Sequence, residues 1–135
     1  DVTRVIDDLV RPNGIALSPD GKTLYVVDNG TGLLYRYPVL SPGKIGKGER
    51  IAITPFPDGM TVDREGRLYV TGNDGVFVLT PDGKWIGIIT AGQQPANCTF
   101  GGKDYRTLFI TARTGLYGIE TETRGWHVHL DGVPK

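Results

Sequence analysis

Three oxygen-bearing side chains recur at matched places in this sequence. Asn13 lies 11 residues before Leu24, Asp58 lies 10 before Leu68, and Asn97 lies 11 before Leu108. Two of them directly follow a proline, in Pro12-Asn13-Gly14 and Pro57-Asp58-Gly59, and the third sits in Pro95-Ala96-Asn97. Carboxylate and carboxamide oxygens that converge without His or Cys form the donor set of a hard cation such as Ca²⁺ or Mg²⁺. A turn-forming role competes with this reading, because Asn and Asp cap turns and tolerate left-handed backbone next to Gly. For one such residue the turn is the better account; for three in register a shared site is.

Side chains so far apart in sequence meet only if the fold repeats. The runs Leu24-Tyr-Val-Val, Leu68-Tyr-Val-Thr and Leu108-Phe-Ile-Thr are spaced by 44 and 40 residues, which is the period of a β-propeller blade. Three copies fit, each with about four short strands. Segments 24–28, 33–37, 67–70, 75–80, 84–89, 107–112 and 115–120 are rich in β-branched and aromatic residues and bounded by turn signals, as strands should be. The turns SPDGK (18–22) and TPDGK (80–84) read as hairpin connections, with Pro setting the first turn residue and Gly supplying positive φ. They lack the ligand series of a twelve-residue calcium loop. In such a blade the first strand lines the central channel, so 13–18, 58–63 and 97–101 are expected to be innermost, carrying the three oxygen donors to one axis.

Composition agrees with an all-β domain over residues 1–135. Twenty Gly and nine Pro among 135 residues leave only 1–11 and 103–114 uninterrupted enough for a helix. Residues 1–11 do place Val2, Val5, Ile6, Leu9 and Val10 at helical spacing, but their β-branched content favours a strand over 2–7. Fifteen basic residues balance fifteen acidic ones, so bulk charge offers nothing to nucleic acid or an anionic membrane. No apolar run approaches the roughly 18 residues of a membrane span. A hydrophobic content of 39% is enough for a packed core, and the single Cys98 excludes an intrachain disulfide or a cysteine zinc cluster. Nothing at the start reads as a signal peptide, which leaves the compartment open between cytoplasmic and exported.

The stretches RPNGIALSPDGKTLYVVD (11–28), PDGMTVDREGRLYVTG (57–72), NCTFGGKDYRTLFITA (97–112) and TGLYGIETETRG (114–125) occur in one order. Together they resemble the C-terminal half of the senescence marker protein/gluconolactonase family. The resemblance implies a six-bladed propeller with one divalent cation on its axis, Ca²⁺ foremost, with Mg²⁺, Zn²⁺ or Mn²⁺ as alternatives. It implies hydrolysis of sugar lactones or related esters. By the same resemblance Asn13 is a metal ligand, Asp58 is a metal ligand and the catalytic base, and Asn97 lines the cavity. The cation would polarise the lactone carbonyl and activate water, and Asp58 would take its proton.

The family's Glu ligand, a further Asn ligand and its substrate-gripping residues belong to the N-terminal half, which this sequence does not contain. Three blades alone leave two flat apolar faces and a strand edge open. The expected partner is therefore a second copy, giving a homodimer, or a complementary N-terminal half-propeller chain, and the expected status is a fragment or engineered half. The alternative function is a non-catalytic propeller fragment or a half-propeller assembly module, with a structural axial cation. Asp28 reads as a hairpin-end polar residue or as support for the site. His127 and His129 share one side of a possible strand, a weak metal pair. Asn29-Gly-Thr and Asn97-Cys-Thr fit the short glycosylation pattern, and GKIGKG (43–48) lacks the spacing of a phosphate loop.

Overall fold

The computed structural model describes residues 1–132, so the last three residues of the expected domain, 133–135, lie outside the described residues. Three antiparallel sheets follow one another along the chain. The first contains β1 (Pro12–Leu17), β2 (Thr23–Asp28), β3 (Leu33–Ser41), β4 (Lys44–Ile45) and β5 (Glu49–Ile53), with β5 paired to β3. The second runs β6 (Met60–Val62), β7 (Leu68–Gly72), β8 (Gly75–Leu79), β9 (Trp85–Ile89), and the third β10 (Pro95–Gly101), β11 (Thr107–Ala112), β12 (Gly115–Glu120). A single helical turn, α1 (Val128–Asp131), follows.

The middle sheet is buried on both faces, and the two-residue period of a strand shows how. Leu68 and Val70 on β7, with Phe77 and Leu79 on β8, pack with Tyr25, Val27 and Leu34 of the first sheet. The alternate residues Tyr69, Val76 and Val78 pack with Cys98, Phe100, Leu108, Ile110 and Ala112 of the third. Tyr69 meets Phe100 edge to face with ring centroids 5.0 Å apart. Every residue of β7 and β8 is buried, which explains why those runs read as continuous apolar stretches in place of alternation. The stacking of sheets around inner strands β1, β6 and β10 is the arrangement of consecutive propeller blades.

One turn device recurs at the far end of the inner strands and of β8. Ser18 Oγ accepts the N–H of Thr23 at 2.9 Å, and Thr80 Oγ accepts that of Lys84 at 2.9 Å. Asp63 does the same work for Arg67, 2.9 Å, and its fully buried carboxylate is also met by the Arg67 Nε at 2.6 Å and the Tyr69 hydroxyl at 3.2 Å. Burial and the adjoining Asp63 charge push the Tyr69 hydroxyl pKa up, so it remains a donor. Gly21, Gly66 and Gly83 take φ of 69°, 82° and 87° at the fourth position of these turns.

Four expectations are corrected. Residues 2–7 form no strand, because no edge within the described residues runs beside them and a strand requires a ladder partner. The first sheet has five strands, because β3 outruns β2 and turns back into the short β4. The third has three: after β12 the chain leaves the sheet, and Gly125 bridges to Asp63 on the middle sheet instead. His127 and His129 lie on a helical turn in place of a strand. The Asp131 carboxylate accepts the His127 N–H at 2.9 Å and His127 Nδ1 accepts that of His129 at 3.3 Å, curling the segment.

Asp28, almost wholly buried at the end of β2, secures the entrance to β1. Its carboxylate accepts N–H groups of Val10 at 3.0 Å, Arg11 at 2.8 Å and Gly30 at 3.0 Å. Burial works against its charge, but the backbone donors of Val10 and Arg11, with Thr31 and Gly30, prevail and hold its pKa below 3.8. A depressed carboxylate contributes stability above its unfolded pKa and loses it as pH falls through the folded one. The expected result is an acid-induced stability loss beginning below about pH 3.8 that is diminished in Asp28→Asn. That variant should also be less stable at pH 7, by about 1–3 kcal/mol, as read from urea unfolding at a series of pH values.

Candidate metal centre at the inner strand edges

The site begins with a break in pairing. β1 and β2 lose register between Pro12 and Ile15, which places Asn13 and Gly14 in a bulge at the start of the innermost strand. From this exposed position the Asn13 Nδ2 donates to Asp58 Oδ1 at 2.7 Å. Asp58 is half-buried and lies two residues before β6, so the contact joins the inner edges of the first and middle sheets. The two residues singled out by their spacing to the repeat leucines therefore touch, though 45 positions apart.

Close backbone approach makes that contact attainable. A Cβ on Gly14 would sit 2.6 Å from the Asp58 carbonyl oxygen and 2.9 Å from Val27 Cγ2, and one on Gly59 would collide with the Asn97 side chain and sit 2.9 Å from the Ala96 carbonyl oxygen. Any side chain at either glycine would force the sheets apart. Between the middle and third sheets, the Gly59 N–H lies 2.8 Å from Thr71 Oγ1 and 2.9 Å from the Ala96 carbonyl. The Thr71 hydroxyl proton has the Ala96 and Gly59 carbonyls within reach at 2.9 and 3.0 Å. The Asp58 N–H donates to the Thr71 carbonyl at 2.9 Å.

Asn97 is brought beside Gly59, one residue from Asp58, but its Oδ1 accepts the N–H of its neighbour Cys98 at 2.9 Å. Its side chain is thereby tied to its own strand. Asp28 is absent from the contact and serves the backbone described above. The His127 ring packs on Tyr105 at 5.0 Å and His129 at 5.1 Å, a cluster centred on the C-terminal turn. Cys98 is no nucleophile: burial pushes its thiol pKa up to about 12.

Two supports were not anticipated. Asn29 donates from Nδ2 to the Pro57 carbonyl at 2.7 Å while its Oδ1 accepts from Arg11, so both arms of the Asn13–Asp58 contact are tied to one side chain. Thr71 is the other. Its signal lay in the repeat itself, since Thr71 and Thr111 close the aligned runs, and Thr111 likewise donates to the inner strand, to the Asn97 carbonyl at 3.3 Å.

The donors fit a hard cation in kind: one carboxylate and one carboxamide, with no thiolate or imidazole at the contact. They do not fill its shell. Ca²⁺ takes six to eight oxygens, and among the described residues no three His, Cys, Asp or Glu side chains gather as ligands.

The consecutive antiparallel sheets, packed face to face with their first strands adjacent, define a propeller-class protein. The chain belongs to the SMP-30/gluconolactonase/LRE-like region family, whose model matches residues 1–114. It is 34% identical over 131 residues to a gluconolactonase of Zymomonas mobilis, an alignment covering 87% of this chain and 36% of that protein. A solved gluconolactonase from Xanthomonas campestris superposes with a TM-score of 0.80 at 34% identity, over 87% of this chain and 39% of that one. The calcium-binding protein regucalcin from Agrobacterium tumefaciens superposes at 0.83 with 26% identity, over 93% and 50%. The chain thus spans half or less of the length of these relatives.

The lock formed by Thr71 is testable by stability. Thr71→Val, which keeps the shape and removes the hydroxyl, should cost about 1–3 kcal/mol in denaturant unfolding, and Thr71→Ser should recover most of it.

Proposed function

We propose that this chain contributes to the axial site of a divalent-metal-dependent hydrolase of sugar lactones or related esters. The observation that carries the reading is the Asn13–Asp58 contact between adjacent inner strands. Membership in a family whose relatives include proteins named gluconolactonase supports the substrate class.

In this reading Asn13 and Asp58 hold the cation, Ca²⁺ by their all-oxygen character, and the ion when bound supplies Lewis-acid polarisation of the lactone carbonyl. Asn13 orients the Asp58 carboxylate by occupying Oδ1. Oδ2 has no hydrogen-bond partner among the described residues, so it would be the cation's ligand, and the second lone pair of Oδ1 would accept the proton. Water adds to the carbonyl carbon as Asp58 takes its proton. The bond from that carbon to the ring oxygen then breaks, and the proton returns to the departing alkoxide to give the open hydroxy acid. A carboxylate is a weak base in water, so its value here rests on position. Gly14, Asn29 and Thr71 supply that position through the backbone on either side of Asp58.

A second reading gives the cation a structural role in a non-catalytic propeller module, and the small number of donors that this chain places at the contact favours keeping it in view. A lactone-hydrolysis assay on the assembled protein separates the two. The hydrolase reading expects activity that is abolished by chelator, restored by Ca²⁺, and reduced by a factor of about 10²–10⁴ in Asp58→Ala. Activity indifferent to both treatments would refute it, and cation-dependent melting without turnover would favour the structural role.

A further inference from the structure

We propose that Phe56 contacts the substrate, its ring forming an apolar platform for the C–H face of a sugar lactone held at Asp58. The inference rests on the hydrolase reading and adds to it a residue that recognises the substrate.

Phe56 stands between Pro55 and Pro57 in the connection from β5 to β6, two residues before Asp58. Its backbone is held at a φ of 50°, in the left-handed region where a bulky aromatic residue is an outlier. The following proline deepens the conflict, since a residue before proline prefers extended backbone. Among the described residues two other non-glycine positions have positive φ, and local structure accounts for both. Arg113, at 49°, opens the two-residue turn between β11 and β12, a place where hairpins require positive φ. Tyr105, at 57°, packs against the core of the third sheet and against the His127 ring. Phe56 has neither account: it lies outside any hairpin turn and is 65% exposed. Backbone strain that gains no core contact in return is a mark of a functional position.

The surrounding chain holds this conformation in place. The Thr54 N–H donates to the Gly32 carbonyl at 2.9 Å, and the Pro55 carbonyl accepts the Asn73 N–H at 3.1 Å. The Pro57 carbonyl accepts from Asn29 Nδ2 at 2.7 Å, and the Asp58 N–H donates to the Thr71 carbonyl at 2.9 Å. Two proline rings remove further freedom. Connections 29–32 and 73–74 flank Phe56 on either side, so its exposure arises at the junction of the first and middle sheets, well inside the chain.

Two residues of chain span at most about 7 Å, which leaves the exposed ring within reach of a lactone whose carbonyl is held at Asp58. The hydroxyl groups of such a lactone lie around its rim, and C–H bonds of partial positive charge cover its face. Those bonds suit the negative face of an aromatic ring. A platform already pinned in place binds with little ordering cost.

Steady-state hydrolysis of glucono-1,5-lactone by the assembled protein, alongside thermal melting, tests this. Phe56→Gly is the decisive variant, because glycine accepts the left-handed backbone without strain. The expected result is a KM raised about three- to tenfold, with kcat within about twofold and a melting temperature no lower than that of the wild type. Phe56→Trp should recover the wild-type KM. An unchanged KM in Phe56→Gly, with turnover still sensitive to chelator, would overturn this inference alone. So would a lowered melting temperature or an altered oligomeric mass, either of which would make Phe56 a packing residue. Wild-type protein without chelator-sensitive turnover would refute the hydrolase reading and this inference with it.

Discussion

The inner strands of this protein approach so closely that two positions exclude even a methyl group. At Gly14 the obstruction is the carbonyl of Asp58 itself, and at Gly59 it is the Asn97 side chain and, behind it, the carbonyl of Ala96. The two carbonyls are backbone and cannot move aside as a flexible side chain does, so the inner-edge spacing is held most firmly at Gly14, whereas at Gly59 the Asn97 side chain is met before the carbonyl. The same spacing brings Asn13 within 2.7 Å of Asp58. Core packing between the sheets is extensive, but hydrophobic burial alone is non-directional; the glycine contacts and the Thr71 hydroxyl convert it into a defined relation between the Asn13 and Asp58 side chains.

The treatment of charge separates scaffold from site. Asp28 and Asp63 are buried and surrounded by donors, each serving backbone N–H groups that would otherwise be orphaned. Asp58 is half-buried and has a single side-chain contact, to a carboxamide. Its Oδ2 has no hydrogen-bond partner among the described residues.

How much of this could be read from residues alone depends on whether the signal was local. The β7 and β8 runs, their tight turns and the repeat step were written in adjacent residues, and matching offsets from the repeat leucines were enough to pick out Asn13 and Asp58. The N-terminal segment misled because strand propensity is only half of a strand; the other half is an edge to pair with, which sequence does not reveal. The third sheet lost its expected fourth strand for a related reason, as Gly125 and Trp126 found partners on β6 and its following turn. Asn97 matched the spacing but spends its oxygen on Cys98, a competition between local and convergent bonding that spacing cannot decide. Asp28 and Asn29 act across the β1–β2 pair and onto Pro57, contacts that exist only after the sheets pack.

The central claim is that Asn13 and Asp58 together form a cation-binding point, and direct calorimetric titration of Ca²⁺ into the assembled protein and into Asn13→Ala and Asp58→Ala tests it most directly. The account predicts saturable binding to the wild-type protein, weakened by at least about tenfold, or about 1.4 kcal/mol, in each variant. Equal affinity in all three proteins, with the folds intact, would contradict it.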